Sequence, residues 1–461
     1  MMRSLYSGVS GLRVHQTKMD VIGNNIANVN TVAYKSSNVT FSEVFYQTTQ
    51  SASGANAASG KGGTNAKQIG LGSNVGAISS TITSEGANQR TDNAFDLKIN
   101  GEAFFVVQSN GKQLFTRAGN FKLDDYGYLT TPTGALVMGW QINPDTGEIK
   151  KDTVSPLQPK SSDFMYTMPE ATTAYTVTGN INKNDTNFLN KDPIPMSVHF
   201  YDSLGNEYTA NINVNQSPTD VNQYTLTMGD IYCNNKKTNL MIADANLGTI
   251  SFDPNTGKPT GGTQDPVTGD TIFQFQIGGL SAAADAAALG VTQEEWDKMF
   301  IASSAMTFET ITVDYSGLTS LADETNPGGD FGIKGLGGGK PVGKLNGISV
   351  APDGTINGSY SNGDTKILGQ IAVATFVNPA GLSKEGDNYY AATLNSGMFD
   401  GIGVSVNAAG GSINAGVLEM SNVDLSLEFT EMITTQRGFQ ANSRIITVSD
   451  TLIEELVNLK R

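Results

Sequence analysis

The sequence predicts a mainly β protein with α-helical ends, in which β-domains are nested between two terminal helices of an elongated subunit. Apolar residues recur every seven positions at both ends, and strand-like segments separated by turns fill the middle. The chain has 52 glycines against 15 prolines, which favours turns and β-structure over disorder. Because a seven-residue repeat keeps an apolar seam on one side of a helix, we expect the two ends to pair as a coiled coil.

The first element is a predicted helix over residues 3–30. Its interior contains glycine and asparagine, which lower helix propensity, so we expect partners to supply much of its stability. We also expect it to be disordered in the isolated monomer. The predicted seam of this helix consists of Leu5, Leu12, Met19 and Ile26 at one heptad position, flanked by Val9, Ile22 and Val29.

Residues 31–72 are predicted to form a polar linker. A run rich in Ser, Ala, Gly and Asn over 51–66 is typical of loop or extended chain. The aromatic and apolar group within this linker is its only part expected to dock on another surface, and it comprises Phe41, Val44, Phe45 and Tyr46.

Two distant stretches, 73–164 and 341–417, are predicted to form one discontinuous β-domain. In both, Asn-Gly pairs separate apolar runs, and such pairs indicate hairpin turns because both residues tolerate positive φ. The predicted turns are at 100–101, 110–111, 346–347, 357–358 and 362–363.

Residues 165–340 are predicted to form a separate β-domain inserted between those halves, at the tip of the elongated subunit. Segments 176–178, 195–201 and 210–214 alternate apolar and polar residues, as half-buried strands do. A helical insertion is expected over 281–302, and the glycine-dense segment 326–344 is expected to be a loop. The terminal helices and the linker, 1–72 together with 418–461, would then form a third domain, at the end of the subunit where both termini lie.

The last element is a predicted helix beginning near residue 421. Ser421 and Asp424 resemble a capping box, and Lys460 with Arg461 at the far end suit the helix dipole. The predicted seam of this helix is Leu425, Met432, Phe439, Ile446 and Ile453.

Composition argues against several function classes. The net charge of −15 disfavours nucleic acid and anionic membrane surfaces, since both require a basic surface on the protein. We see no apolar run long enough to cross a membrane and no cleavable leader, so we expect neither membrane insertion nor conventional secretion. The single cysteine, Cys233, cannot form an internal disulfide and is predicted to be incidental, in a polar loop.

No catalytic or metal-binding motif stands out, so we expect no cofactor and no enzymatic activity. His15 and His199 lie in contexts that supply neither a nucleophile nor metal partners, and both are predicted to be structural. Asp124, Asp125 and Asp202 lie near glycines and are predicted to be turn residues. The glycine-rich segment 335–340 does not fit a phosphate loop. A carboxylate-only glycosidase site stays open, although no pair of carboxylates suggests itself.

The two ends carry motifs that resemble those of bacterial flagellar rod and hook subunits, the axial proteins. The resemblance rests on SGVSGL at 7–12, NNIANVNT at 24–31, SNVDL at 421–425 and QRGFQAN at 436–442. Residues 95–140 are similar to the family's shared β-domain, including RAGNF at 117–121 and GYL at 127–129. The family usually has glycine before Tyr34, where this chain has Ala33.

Within this family, residues 193–206 are similar to the outer domain of hook subunits, which implies a hook subunit without enzymatic activity. The resemblance implies a flexible, curved, hollow homopolymer that acts as a universal joint between rod and filament. It places 1–72 and 418–461 inside the tube, 73–164 and 341–417 in a middle shell, and 165–340 outside. It also implies rod, hook-cap, hook–filament junction and export-apparatus partners, and an extracellular hook location reached without leader cleavage.

Three alternatives remain open at this stage, and one of them is a hydrolase, which a concave pair of carboxylates would indicate. A distal rod subunit would have the same ends but normally lacks the inserted domain, and a β-rich surface adhesin would need a leader and aromatic clefts. In some relatives an outer-domain cysteine cross-links to a neighbouring subunit's lysine, and the resemblance leaves this possible for Cys233.

Overall fold

The structure is a computed structural model, and it describes residues 2–55, 60, 62–143, 146–233, 236–238, 246–261, 263–264, 271–275 and 309–459. The predicted helix at 281–302 and the basic pair Lys460 and Arg461 lie outside these described residues. In this described part of the chain, the helices are α1 (Met2–Ala27), α2 (Thr186–Leu189) and α3 (Leu425–Asn458), with 3₁₀ turns at Ser162–Phe164 and Pro379–Gly381. Within the described residues, no helix combines the length and apolarity needed to cross a membrane.

The chain divides into two compact units. Unit 1 comprises Met1–Asp163, Gly347–Gly358 and Lys366–Arg461, and unit 2 comprises Phe164–Asn346 and Ser359–Thr365. The boundaries of the three predicted domains remain predictions.

The first twelve strands belong to unit 1. They are β1 (Ser37–Glu43), β2 (Tyr46–Gln50), β3 (Lys67–Gly70), β4 (Ser73–Ser80), β5 (Asn88–Arg90), β6 (Leu97–Asn100), β7 (Phe104–Ser109), β8 (Lys112–Thr116), β9 (Lys122–Leu123), β10 (Leu129–Thr130), β11 (Leu136–Gln141) and β12 (Ser155–Pro156).

The next twelve strands belong to unit 2. They are β13 (Tyr166–Thr167), β14 (Ala174–Asn180), β15 (Ile194–Tyr201), β16 (Glu207–Gln216), β17 (Gln223–Cys233), β18 (Lys236–Thr238), β19 (Asn246–Phe252), β20 (Pro259–Gly261), β21 (Thr263–Gln264), β22 (Thr271–Phe275), β23 (Ile311–Thr319) and β24 (Asn326–Phe331).

The remaining strands begin with the one that spans the second boundary between the units, at residues 346 and 347. They are β25 (Gly343–Val350), β26 (Thr355–Tyr360), β27 (Thr365–Ile371), β28 (Val373–Ala374), β29 (Ser383–Gly386), β30 (Tyr389–Ala391), β31 (Ser412–Ala415) and β32 (Val417–Glu419).

The main sheet of unit 1 joins strands from two distant parts of the sequence. Strand β7 pairs with β8, β11 and β28, and β30 pairs with β8, all antiparallel. On one face, Phe104, Phe115 and Trp140 are buried in an aromatic core, because these strands alternate their side chains between the two faces. Strands β31 and β32 pair with β6 and β5, so the chain that enters α3 is tied to the early strands.

The predicted linker is more ordered than expected. Within residues 31–72, β2 pairs with β3, and a bridge between Ser53 and Thr64 extends this hairpin. Strand β1 pairs with β4, which directly follows this stretch. Its apolar group stays on the surface, since Phe45 is 74% exposed and Tyr46 54% exposed. Strand pairing stabilises this stretch even though its composition is that of a flexible linker.

Unit 2 contains two sheets that share a core. The first has the order β21-β22-β23-β14-β24 and the second has the order β15-β16-β17-β19-β20, with β18 on β17. Val177 and Val313 from the first sheet and Phe200, Ile212 and Tyr224 from the second are almost fully buried in that core. The predicted strands at 176–178, 195–201 and 210–214 are confirmed.

Some local predictions were wrong. The Asn-Gly pairs at 346–347 and 357–358 lie inside β25 and β26, and the turn between those strands is made by residues 351–354, with Gly354 at φ +84°. An Asn-Gly pair tolerates positive φ without requiring it, so pairing with neighbouring strands prevailed. The expected turn at 110–111 is confirmed, with both residues at positive φ.

Two other expectations about unit 2 also fail. Six residues of the supposed loop 326–344 form β24, which pairs with β14. Cys233 is not in a polar loop: it ends β17 and is 4% exposed at the edge of the core. Strand alternation places Ile231 and Cys233 on the inner face, which a polar local composition does not reveal.

Candidate assembly interface

The helices α1 and α3 of unit 1 pack against each other in antiparallel orientation. The hydroxyl oxygens of Ser4 and Ser449 lie 3.4 Å apart near one end of the pair. Near the other end, Asn25 Nδ2 donates to Glu428 Oε1 at 2.8 Å. Contacts therefore run in opposite sequence directions along the two helices. This order is expected because both chain ends leave the β-structure of unit 1.

Glycines allow the two helices to approach closely. A Cβ atom at Gly8 would lie 3.3 Å from Ile446 Cγ1, and one at Gly11 would lie 2.6 Å from Asn442 Nδ2. On α3, Gly438 faces the ring of His15 in the same way. These glycines weaken the isolated helices but remove the side chains that would hold them apart.

The interface between the helices is partly polar. Lys18 Nζ lies 3.0 Å from Glu431 Oε2, and both side chains are about a third exposed or less. Burial raises the pKa of Glu428, although the hydrogen bond from Asn25 opposes this. Burial, and then the charge of Lys18, lower the pKa of His15, so its neutral form is favoured between the helices.

The cap of α3 differs from the prediction. Asp424, rather than Ser421, is the N-cap, and its carboxylate accepts from the backbone N–H of Ser426 and Leu427. Ser421 instead accepts from Val423 N in the extended chain before the helix. The Asp424 side chain satisfies free N–H groups and carries a favourable charge at the helix N-terminus.

The predicted seam lies along the helix pair but is only partly covered. Ile22 alone among its members is fully buried, at 2% exposure, whereas Ile446 reaches α1 at Gly8. Val29 follows the end of α1. Val9 (40%) and Leu425 (38%) are exposed, and the half-buried members are Leu5, Leu12, Met19, Ile26, Val29, Met432, Phe439, Ile446 and Ile453.

A second apolar stripe on α3, which we did not predict, is exposed. We call it the outer stripe, and it consists of Ile445, Val448, Leu452 and Leu456, exposed by 44%, 57%, 51% and 50%. Their spacing of three or four residues places them on one helix face. The last third of α3 is apolar at several heptad positions, so the sequence contains a pattern that allows more than one apolar stripe. It does not indicate which of these stripes faces α1.

Chemical sites are not evident in the parts of the chain that the structure describes. No group of three or more His, Cys, Asp or Glu residues could hold a metal ion among those residues. His199 lies on β15 with Nδ1 3.1 Å from Thr209 Oγ1. Asp124 and Asp202 accept backbone N–H groups within turns, as predicted.

Comparisons with protein families match three segments of the chain. Residues 5–35 match the family described as "Flagella basal body rod protein". Residues 98–156 match "Flagellar hook protein FlgE/F/G D1 domain", and residues 414–459 match "Flagellar basal body rod FlgEFG protein C-terminal". The terminal matches cover most of α1 and all of α3.

Full-length relatives carry the same names. The chain is 36% identical over 475 residues to the flagellar hook protein FlgE of Borreliella burgdorferi, with 100% of both chains covered. It is 34% identical over 485 residues to FlgE of Treponema pallidum, again with 100% of both chains covered. The flagellar basal-body rod protein FlgG of Bacillus subtilis is 29% identical over 461 residues, with full coverage of both.

The identities to hook proteins extend from α1 through both units to α3, so they concern the whole subunit rather than one shared domain. The paired terminal helices and the β-rich middle are thus features of a structural, non-enzymatic subunit of the bacterial flagellum. The protein belongs to the flagellar hook protein family.

Proposed function

We propose that this chain polymerises into the flexible, curved, hollow hook that transmits torque from rod to filament. The observation that carries this proposal is the outer stripe. Although α1 and α3 already cover each other, the four side chains of the outer stripe remain 44–57% exposed. Contiguous exposed apolar surface on an otherwise polar chain is typical of an interaction site.

The occupant of this surface in our proposal is the helix pair of another copy. Full burial of a large aliphatic side chain contributes about 1.5–3 kcal/mol. The four side chains of the stripe are already about half covered, so covering the rest would contribute about half of that each, or about 3–6 kcal/mol together. The predicted seam would contribute too, since most of its members are half-buried within one chain and would be covered further in a polymer.

The finer features follow from the family and stand as part of the proposal. The subunit would contact rod, hook-cap and hook–filament junction proteins, and would leave the cell through the flagellar export apparatus without leader cleavage. The exposed polar surfaces of unit 2 would slide or separate as the tube bends. The three-layer division, with 1–72 and 418–461 innermost and 165–340 outermost, belongs to the same proposal.

A distal rod subunit is the alternative. Chain length does not exclude it, because the Bacillus subtilis relative named FlgG matches along its whole length. The relatives at 34% and 36% identity carry the hook name, which favours the hook.

Electron microscopy of the purified full-length chain after salt-induced assembly tests the proposal. We expect curved, hollow tubes. Straight tubes would favour a rod subunit, and a chain that stays monomeric at high concentration would contradict polymerisation. Chains lacking residues 1–30 or 425–461 should not assemble, whereas their β-units should stay folded by circular dichroism.

A further inference from the structure

A buried ion cluster lies in unit 1 where both chain ends meet the β-sheet. Lys35 Nζ is 2.7 Å from Glu419 Oε1, and Arg117 Nη1 is 3.9 Å from Glu419 Oε2. The Lys35 and Glu419 side chains are 0% exposed and that of Arg117 is 1% exposed. Two cations therefore share one carboxylate out of contact with water.

Each member of the cluster belongs to a different part of the sequence. Lys35 follows α1, Glu419 ends β32 shortly before α3, and Arg117 follows β8 in the main sheet. Lys35 also donates to the carbonyl oxygen of Ser84 at 2.6 Å, and Gly86 N donates to Glu419 Oε1 at 2.9 Å. The cluster thus joins the two ends to each other and to the sheet.

Backbone contacts join the same two segments. We call residues 33–37 the N-terminal junction and residues 418–422 the C-terminal junction. Ala33 N donates to Glu419 O at 2.8 Å, and Asn422 N donates to Tyr34 O at 3.3 Å. Asn422 Oδ1 accepts from Ser36 N at 2.8 Å. Neither junction could keep these contacts if the other left the sheet.

Removing one partner of a buried ion pair is far more costly than breaking an exposed pair, because the remaining charge stays out of water without compensation. If the C-terminal junction detached, Lys35 and Arg117 would be left as two buried cations. If the N-terminal junction detached, Glu419 would lose the lysine that lies closest to it. A state in which only one chain end is docked is therefore disfavoured, whichever of the two ends that is.

We propose that the Lys35–Glu419–Arg117 cluster makes docking of the two chain ends mutually dependent, so that the two junctions order together or not at all. The cluster acts as a conformational lock that closes only when both ends of one chain are present. This inference concerns the single subunit and does not rest on polymerisation.

Hydrogen–deuterium exchange on the full-length monomer tests the lock. Glu419→Gln removes the carboxylate charge with little change in shape, and we expect exchange to rise by about 10²- to 10³-fold in both junctions. Lys35→Gln should accelerate exchange in the C-terminal junction as well as in its own, since coupling between two sites is reciprocal. Exchange in β7 serves as an internal reference for local rather than global opening.

Glu431→Gln is the matched control. It removes the carboxylate partner of Lys18 in a partly exposed ion pair between α1 and α3, and it should leave both junctions within about twofold of the wild type. The proposal is overturned if Glu419→Gln opens only the C-terminal junction, or if neither junction changes.

A milder variant covers the case in which Glu419→Gln unfolds unit 1 and β7 loses protection. Glu419→Asp keeps the charge but shortens the side chain, so it should weaken the cluster without abolishing it. Equal acceleration of exchange in both junctions supports the lock, and acceleration confined to one junction refutes it.

Discussion

The imidazole ring of His15 lies so close to Gly438 that a Cβ atom at residue 438 would be 2.8 Å from ring atoms Cε1 and Nε2. The two residues belong to α1 and α3, so the distance between these helices at this level is set by the absence of a side chain. The ring of Phe41, in β1, packs edge-on against the imidazole ring, with 6.0 Å between the two ring centroids. This contact limits the movement of the His15 ring.

Gly438→Ala should therefore destabilise the helix pair. Alanine is the better helix former by about 1 kcal/mol, but forcing a Cβ against a confined ring typically costs about 1–3 kcal/mol. We expect a lower thermal midpoint for the helical signal in circular dichroism. Gly23→Ala is the control, because its added Cβ meets no atom within 4 Å and should stabilise α1. A stabilised Gly438→Ala protein would contradict the close approach.

The strained backbone at Ala33 predicts a substitution that stabilises the protein, whereas Gly438→Ala should destabilise it. Ala33 is 1% exposed and has φ +57°, in the left-handed region that costs a non-glycine residue about 1–2 kcal/mol. Ala33→Gly should stabilise unit 1 by about 0.5–1 kcal/mol after the greater entropy of glycine in the unfolded chain is included. Ala441→Gly, at an exposed position inside α3, should destabilise instead. Denaturant unfolding of both variants measures the difference.

Helix pairing should weaken in acid through His15. Its pKa is lowered below 6.5 by burial and then by Lys18, so the folded chain binds this proton more weakly than the unfolded chain. The resulting stability is present above pH 6.5 and is lost as pH falls through the folded-state pKa. The pKa of Glu428 is raised from 4.5. Its contribution to stability is therefore present at pH below 4.5 and is lost as pH rises through the folded-state pKa, opposite to that of His15.

The measurement is the thermal midpoint of the helical signal as pH decreases below 6.5 in the wild type and in His15→Gln. The variant cannot gain a proton at this position, so its midpoint should fall less. Identical pH profiles would show that His15 does not cause the acid sensitivity.

The outer stripe and the intramolecular contact can be separated by paired substitutions. Leu452→Asp should raise the critical concentration for assembly by at least about tenfold while the monomer keeps its helical content, since Leu452 is 51% exposed. Ile446→Asp should lower both assembly and helical content, because Ile446 faces Gly8. Gln440→Asp, at an exposed polar position of α3, is the control for added charge. Normal tubes from Leu452→Asp would exclude the outer stripe from assembly.

Cys233 should be unreactive in the folded chain. Burial raises the pKa of its thiol to about 11, and the residue is 4% exposed. We expect thiol reagents to modify it slowly in native protein and rapidly in denaturant, because the thiolate is the reactive form. A cysteine at the exposed position of Thr219, in a Cys233→Ser background, should react quickly in both. Rapid native labelling of Cys233 would imply that the end of β17 opens readily.

Much of the secondary structure could be predicted from local pattern. Period-two alternation identified β14, β15 and β16, and the heptad repeats identified α1 and α3 to within a few residues. The failures share a cause. The hairpin at 46–70, the strand β24 and the burial of Cys233 depend on pairing and packing with other segments of the chain, which the composition of each segment does not contain.

The sequence by itself determined that both ends are apolar-striped helices and that the middle is β-structure, because these features arise from residue periodicity along one segment. Only the tertiary structure decided which stripe of α3 meets α1 and which stays exposed. It alone also brought Lys35, Arg117 and Glu419 into one buried cluster. Those outcomes depend on side-chain volumes and charges that meet across hundreds of residues, where a missing Cβ or an unpaired charge decides the packing.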